Sequence, residues 1–179
     1  MDKKNSVFIA TSVDGYIADR KGGLKWLEII PNPNQESMGY YEFMEGMDAL
    51  VMGRVTFETV LGFGIEWPYK KPVYVLSNTL QTVSDELRDK VFLKKGPLKK
   101  VLEEIYKIGH YKLYIDGGST IQSFLREDLI DEMIITQIPV LLGGGIPLFG
   151  SHEQLLEFEC IETKILLDKI VQNHFRRVR

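Results

Sequence analysis

Up to Asp128 the sequence alternates short apolar runs with segments of helical periodicity; beyond it the runs continue with no helix between them. That change of rhythm constrains the fold more than any single residue. Strands separated by helices return in the same direction and build a parallel sheet, whereas strands joined by tight turns fold back on one another. The strand-like runs are Ser6 to Ala10, Ala49 to Met52, Pro72 to Asn78, a weaker VFL at Val91, and YKLYID ending at Asp116. Helical spacing covers Gln35 to Glu45, with Met38, Tyr41 and Met44 on one face, and then Thr56 to Leu61. It returns from Leu98 to Ile105 behind Pro97, and in GGSTIQSFLRED, where Ile121, Phe124 and Leu125 point inward. MIITQIPVLL follows as one long strand, then the glycine-rich loop Gly143 to Pro147, then two strands facing each other across LLDKIV. The expectation is an α/β domain with a mixed, mostly parallel central sheet and antiparallel C-terminal strands.

A chain of 179 residues suits one compact domain, so residues 1–179 are expected to form a single unit. At 44% hydrophobic and 26% charged it has an ordinary globular composition. No apolar stretch near the start is long enough to cross or enter a membrane, and one cysteine, Cys160, cannot form an internal disulfide; both point to the cytoplasm. Cys160 is expected in the core. A net charge of −3 gives no general attraction for nucleic acid, and His110, His152 and His174 are not spaced as a metal site, so no metal is assigned.

Three of the strands end in polar or glycine-rich corners: MGRVT, LSN and IDGGST. Ligands of parallel sheets sit at the carboxyl ends of strands. At IDGGST, Gly117 and Gly118 let a backbone approach a bulky anion while Ser119 and Thr120 open a helix whose free amides attract its charge. At MGRVT, Gly53 permits a tight turn, Arg54 offers a planar fork for a phosphate, and Thr56 can cap the helix or bond the same phosphate. Each corner is also ordinary turn chemistry; together with Ser77 and Asn78 they suit an extended dinucleotide with an extra phosphate, NADPH before NADH. Neither G-x-G-x-x-G nor G-x-x-x-x-G-K-[ST] occurs, so this is neither the Rossmann fingerprint nor a P-loop.

IATSVDGYIA, ALVMGRVTFETV, VYVLSN, YIDGGSTIQSFL and IDEMIITQIPVLLGGGIPLF, in that order, resemble the dihydrofolate reductase superfamily. Within it the chain is most similar to free-standing relatives of the riboflavin-biosynthesis reductase domain. The resemblance implies a three-layer α/β/α fold and hydride transfer from NADPH to a pyrimidine or pteridine ring, or to an imine attached to one. It places Ala10, Thr11 and Ile17 by the nicotinamide, with Asp14 and Gly15 shaping the loop above. Arg54 and Thr56 would hold phosphates, Ser77 and Asn78 the adenosine end, and Gly117 to Thr120 the pyrophosphate. Trp26 would lie near nicotinamide and substrate, and Asp116 stands where riboflavin-branch enzymes carry a glutamate that contacts substrate. Pro31 and Asn32 fall where dihydrofolate reductases place their pterin carboxylate, and Leu24 where riboflavin enzymes place a serine. The expected activity is reduction of 5-amino-6-(5-phosphoribosylamino)uracil; dihydrofolate reduction and a noncatalytic NADPH-binding regulator are the alternatives. A homodimer is implied as well, and the long apolar run MIITQIPVLL can extend a shared interface.

Overall fold

In the computed structural model, which describes residues 2–179, fourteen strands and helices follow one another. They are β1 (Lys4–Ser12), β2 (Tyr16–Ala18), α1 (Tyr40–Glu45), β3 (Ala49–Gly53), α2 (Arg54–Gly62), β4 (Val73–Leu76) and β5 (Val91–Lys94). Then come α3 (Leu98–Lys107), β6 (Lys112–Asp116), α4 (Gly118–Arg126), β7 (Glu132–Ile138), β8 (Ile146–Pro147), β9 (Phe158–Leu166) and β10 (Ile170–Arg177). Eight strands form one sheet in the order β5-β4-β3-β6-β1-β7-β10-β9. The first six are mutually parallel, and β10 runs antiparallel to both neighbours.

A central parallel strand is buried on both faces, which is why ALVM reads as an unbroken apolar run: Ala49 to Met52 are wholly inaccessible. Alternate side chains of β3 enter opposite cores. Ala49 and Val51 pack with Val101 and Ile105 of α3 and Ile121 and Phe124 of α4. Leu50 and Met52 pack with Phe57 of α2 and Phe43 of α1. The result is helices on both faces of the sheet, a three-layer arrangement.

Three local expectations change. The helix expected from Gln35 begins only at Tyr40, because Gln35, Met38 and Gly39 have left-handed backbone at φ 50, 54 and 87 that a right-handed helix cannot contain. Its phase shifts accordingly: Tyr40 and Phe43 pack inward and Tyr41 is 69% exposed. The run MIITQIPVLL is a strand only to Ile138, since Pro139 has no N–H to continue the ladder. Cys160 is exposed rather than buried because β9 is the sheet edge.

Two features open and frame the carboxyl ends. β1 pairs with β7 as far as Ser12 but with β6 only as far as Ser6, so β1 and β6 part before either ends. Beside that opening β2 pairs with β8 in a separate two-stranded sheet, joining the SVDGYIA segment to the GGGIP loop. Asp14 ties the same segments: its carboxylate accepts from Ser12 Oγ at 2.6 Å, Leu142 N–H at 3.1 Å and Gly143 N–H at 2.8 Å.

Candidate functional site

In the sheet order β5, β4, β3 and β6 are neighbours running the same way, so their carboxyl-terminal corners stand side by side. They border one cleft of about 1150 Å³ that extends to the gap between β6 and β1. Gly53, Arg54 and Thr56 line it from the β3 corner, Ser77 and Asn78 from the β4 corner, and Asp116, Gly117, Gly118, Ser119 and Thr120 from the β6 corner. Ala10 and Ile17 line its inner end.

Thr11 and Trp26 are not among the lining residues. Successive strand side chains face opposite ways, so Ala10 and Thr11 cannot both face the cleft; Thr11 is only 3% exposed. Trp26, 8% exposed, packs behind the inner end in a cluster that includes Ala10, Ile138 and Ile170, and its indole Nε1–H has no partner among the described residues.

The corners interlock through glycine. A Cβ on Gly117, whose φ is +89°, would collide with Thr56 Oγ1; one on Gly53 would lie 2.9 Å from Thr120 Oγ1; one on Gly118 would lie 2.8 Å from Ile17 Cδ1. Neither α2 nor α4 has a side-chain cap at its N-cap glycine, Gly53 and Gly117. Thr56, Ser119 and Thr120 place their hydroxyls in the first turns of these glycine-capped helices. Two adjacent helix N-termini with free amides and no intervening β-carbon form a cradle for linked phosphates.

Arg54 stands at the mouth of that cradle, half-exposed, its guanidinium held by both Glu58 oxygens at 2.9 Å. A surface i,i+4 pair contributes only about 0.3–0.5 kcal/mol, so a phosphate can displace or share it. Ser77 Oγ accepts the N–H groups of Thr79 at 3.1 Å and Leu80 at 2.9 Å, which fixes the turn that presents Asn78.

A fourth corner escaped the reading of the sequence. Lys94, Lys95, Gly96 and Pro97, between β5 and α3, line the cleft beside Ser77 and Asn78, and Gly96 has φ +112°. The signal was present: KKGP follows a strand and opens a helix, the same punctuation as the other corners. Lys94 Nζ is paired with Glu104 at 2.7 Å; Lys95 and, farther along the rim, Arg126 add positive charge.

At the inner end the lining turns aromatic. Tyr40, Tyr69, Tyr114 and Phe8 line it together with Asp116. Burial pushes the Asp116 carboxyl above the usual carboxylate range, opposed by Gly117 N–H, which donates to Oδ1 at 2.8 Å. The Tyr114 hydroxyl donates to the Phe8 carbonyl at 3.0 Å. The Phe8 carbonyl thus faces β6, and residues two apart share an edge of a strand, so the N–H and C=O of Ala10 face the same gap, beyond the last β1–β6 pair. A main-chain donor and acceptor side by side complement a carboxamide.

Among the described residues no cluster of His, Cys, Asp and Glu could hold a metal, and no helix is long and apolar enough to cross a membrane. The structure superposes on the crystal structure of a protein from Shewanella sp. PV-4 with a TM-score of 0.96 and 53% identity, over 98% of this chain and 99% of that one. It also matches a deaminase/5-amino-6-(5-phosphoribosylamino)uracil reductase from Thermotoga maritima, TM-score 0.74 at 16% identity, covering 99% of this chain and 57% of the other. A dihydrofolate reductase from Enterococcus faecalis complexed with NADP(H) matches at TM-score 0.66 and 17% identity, over 98% and 97% of the two chains, so the fold is dihydrofolate reductase-like. The model of one reductase family, RibD C-terminal domain, matches residues 4–171, and the chain belongs to that family.

Proposed function

We propose that this chain is an NADPH-dependent reductase of a pyrimidine- or pteridine-like substrate, with 5-amino-6-(5-phosphoribosylamino)uracil as the specific one. The observation that carries this reading is the convergence of four parallel strand corners on one cleft, lined by glycines, hydroxyls and cations at one end and by aromatic rings at the other. The uracil reductase activity named for the Thermotoga relative supports the choice of substrate. Gly53, Thr56, Gly117, Gly118, Ser119 and Thr120 would hold the pyrophosphate, and Ser77 and Asn78 the adenosine. Arg54, with Lys95 nearby, would hold the 2′-phosphate. Ala10 would bond the carboxamide through its main chain, with Ile17 against the nicotinamide and Trp26 supporting that end from behind.

Bound NADPH supplies the hydride. The chain's part is to hold two rings face to face, exclude water with the strapped SVDGYIA segment, and present Asp116 to the substrate as hydrogen-bond partner or proton source. We place the protein in the cytoplasm as a homodimer; β7, which carries MIITQI, is enclosed between β1 and β10 and cannot extend a shared sheet, so the 72% exposed Ile165 of the edge hairpin offers the apolar surface to a second copy. The test is NADPH oxidation followed at 340 nm with the phosphoribosylaminouracil as substrate. Turnover with stoichiometric reduction supports the reading; bound NADPH that no pyrimidine or pterin oxidises contradicts it.

A further inference from the structure

We infer that Lys21 is a phosphate ligand of the cleft, a cation on the wall facing the strand corners that reaches a phosphate group lying between the two walls. The inference rests on the reductase reading above, whose coenzyme and substrate both carry phosphate, and adds a residue to it. The cations lining the cleft are Lys21, Arg54, Lys94, Lys95 and Arg126. Arg54, Lys94 and Lys95 belong to the β3 and β5 corners and Arg126 ends α4, whereas Lys21 comes from the segment between β2 and Trp26. That segment starts against the β6 corner: a β-carbon on Gly118 would lie 2.8 Å from Ile17 Cδ1 of β2, and Ala18, Gly22 and Leu24 continue the same wall.

The turn that carries Lys21 is held at several points. Asp19 Oδ1 accepts the N–H groups of Lys21 at 2.7 Å and Gly23 at 2.8 Å. Asp19 N–H donates to the Gly23 carbonyl at 3.0 Å, and Gly22 N–H to the Asp19 carbonyl at 3.0 Å. Gly22 has φ +79°, and a β-carbon on Gly23 would strike the Asp19 carboxylate. The neighbouring cation, Arg20, is spent on the Gly143 carbonyl at 2.6 Å. The Gly23 and Lys21 N–H groups hold the Asp19 carboxyl below its usual range, so it stays ionised and the turn stays closed at neutral pH.

The backbone is thus fixed while the ammonium is free. Arg54 and Lys94 are paired with Glu58 and Glu104, and Arg126 donates to Ser123 Oγ. Among the described residues Lys21 has no carboxylate within ion-pair distance. A point charge with three donors on a flexible stem suits a phosphate, which accepts from many directions. The diphosphate of the coenzyme and the 5′-phosphate of the substrate both offer that chemistry.

Lys21→Gln and Lys21→Arg, with Lys25→Gln as a neighbouring charge control outside the lining, are compared on the full chain in two arms. Fluorescence titration gives the NADPH affinity. Kinetics at 340 nm give KM for the phosphoribosylaminouracil and the inhibition constant of its dephosphorylated riboside. Lys21→Gln should worsen one of the two phosphate-dependent constants about fivefold or more, with Lys21→Arg close to the parent and Lys25→Gln unchanged. Loss of NADPH affinity assigns the diphosphate; a raised KM for the phosphorylated ring that spares the riboside assigns the substrate phosphate. Thermal midpoints should match the parent, since Lys21 is exposed. Unchanged NADPH affinity with the two ring constants unchanged, or equally raised, overturns the inference and leaves the reductase reading standing. A parent chain that binds NADPH but reduces no pyrimidine or pterin overturns that reading and leaves Lys21 to be decided by the coenzyme arm. Failure to bind NADPH at all overturns both.

Discussion

The hydroxyl oxygen of Thr56 occupies the space that a β-carbon on Gly117 would need, so the corner after β3 is built directly against the corner after β6. A residue in the first turn of α2 thereby sets the identity of a residue 61 positions away, and the two helix N-termini are held together without a capping side chain between them.

Gly117→Ala should therefore destabilise the fold by about 2–5 kcal/mol, from the positive φ and the overlap with Thr56. Adding Thr56→Ala should recover the steric part and leave the backbone strain. Urea unfolding of the two single variants and the double variant measures this coupling, and additive losses would show that the corners are independent.

Arg54→Gln should leave stability almost unchanged, because it breaks only an exposed pair with Glu58. It should weaken NADPH about tenfold or more and NADH little, as expected for loss of a charge-assisted contact to the extra phosphate. Glu58→Gln should strengthen NADPH a few-fold by freeing the guanidinium. Fluorescence titration with both coenzymes checks all three, and equal losses for NADPH and NADH in Arg54→Gln would remove the 2′-phosphate assignment.

Asp116 carries a pH signature. Its folded pKa lies above the unfolded one, so the native state binds the proton more tightly. Stability falls as pH rises through the window between those values and stays lower above it. Asp116→Asn should accordingly stabilise the protein at pH 7, with the gain shrinking as pH drops below the ordinary carboxylate range, while turnover falls. Unfolding curves across pH 3 to 7 test the sign; a gain that grows toward low pH would contradict it.

Asp14 joins the loop after β1 to the loop after β7, accepting from the amides of Leu142 and Gly143. Asp14→Ala should release those amides to faster hydrogen exchange and raise KM for the coenzyme while leaving the β3 and β4 amides protected. Unchanged exchange at residues 142 and 143 would show that the strap depends on β2–β8 pairing alone.

Much of this site was readable because a parallel strand and its corner are local events. An apolar run that breaks into Gly, Ser, Thr or Arg marks its own end, and three such corners needed only the sheet order to bring them together. The β5 corner escaped because VFL is short and its lysines read as surface charge. Tyr40 escaped because periodicity carried across Gln35 to Glu45 favours Tyr41, whereas left-handed residues at Gln35, Met38 and Gly39 reset the helix phase. Tyr69 has no local signal, since a loop residue acquires its place from what the chain packs it against. Thr11 could have been set aside on alternation alone, as Ala10 already faces the cleft.

Calorimetric titration of the unmodified protein with NADPH tests the central claim most directly. The account predicts one NADPH bound per chain, at least about tenfold more tightly than NADH, since one charge-assisted contact separates the two. No heat up to millimolar NADPH, or equal affinity for the two coenzymes, would contradict it.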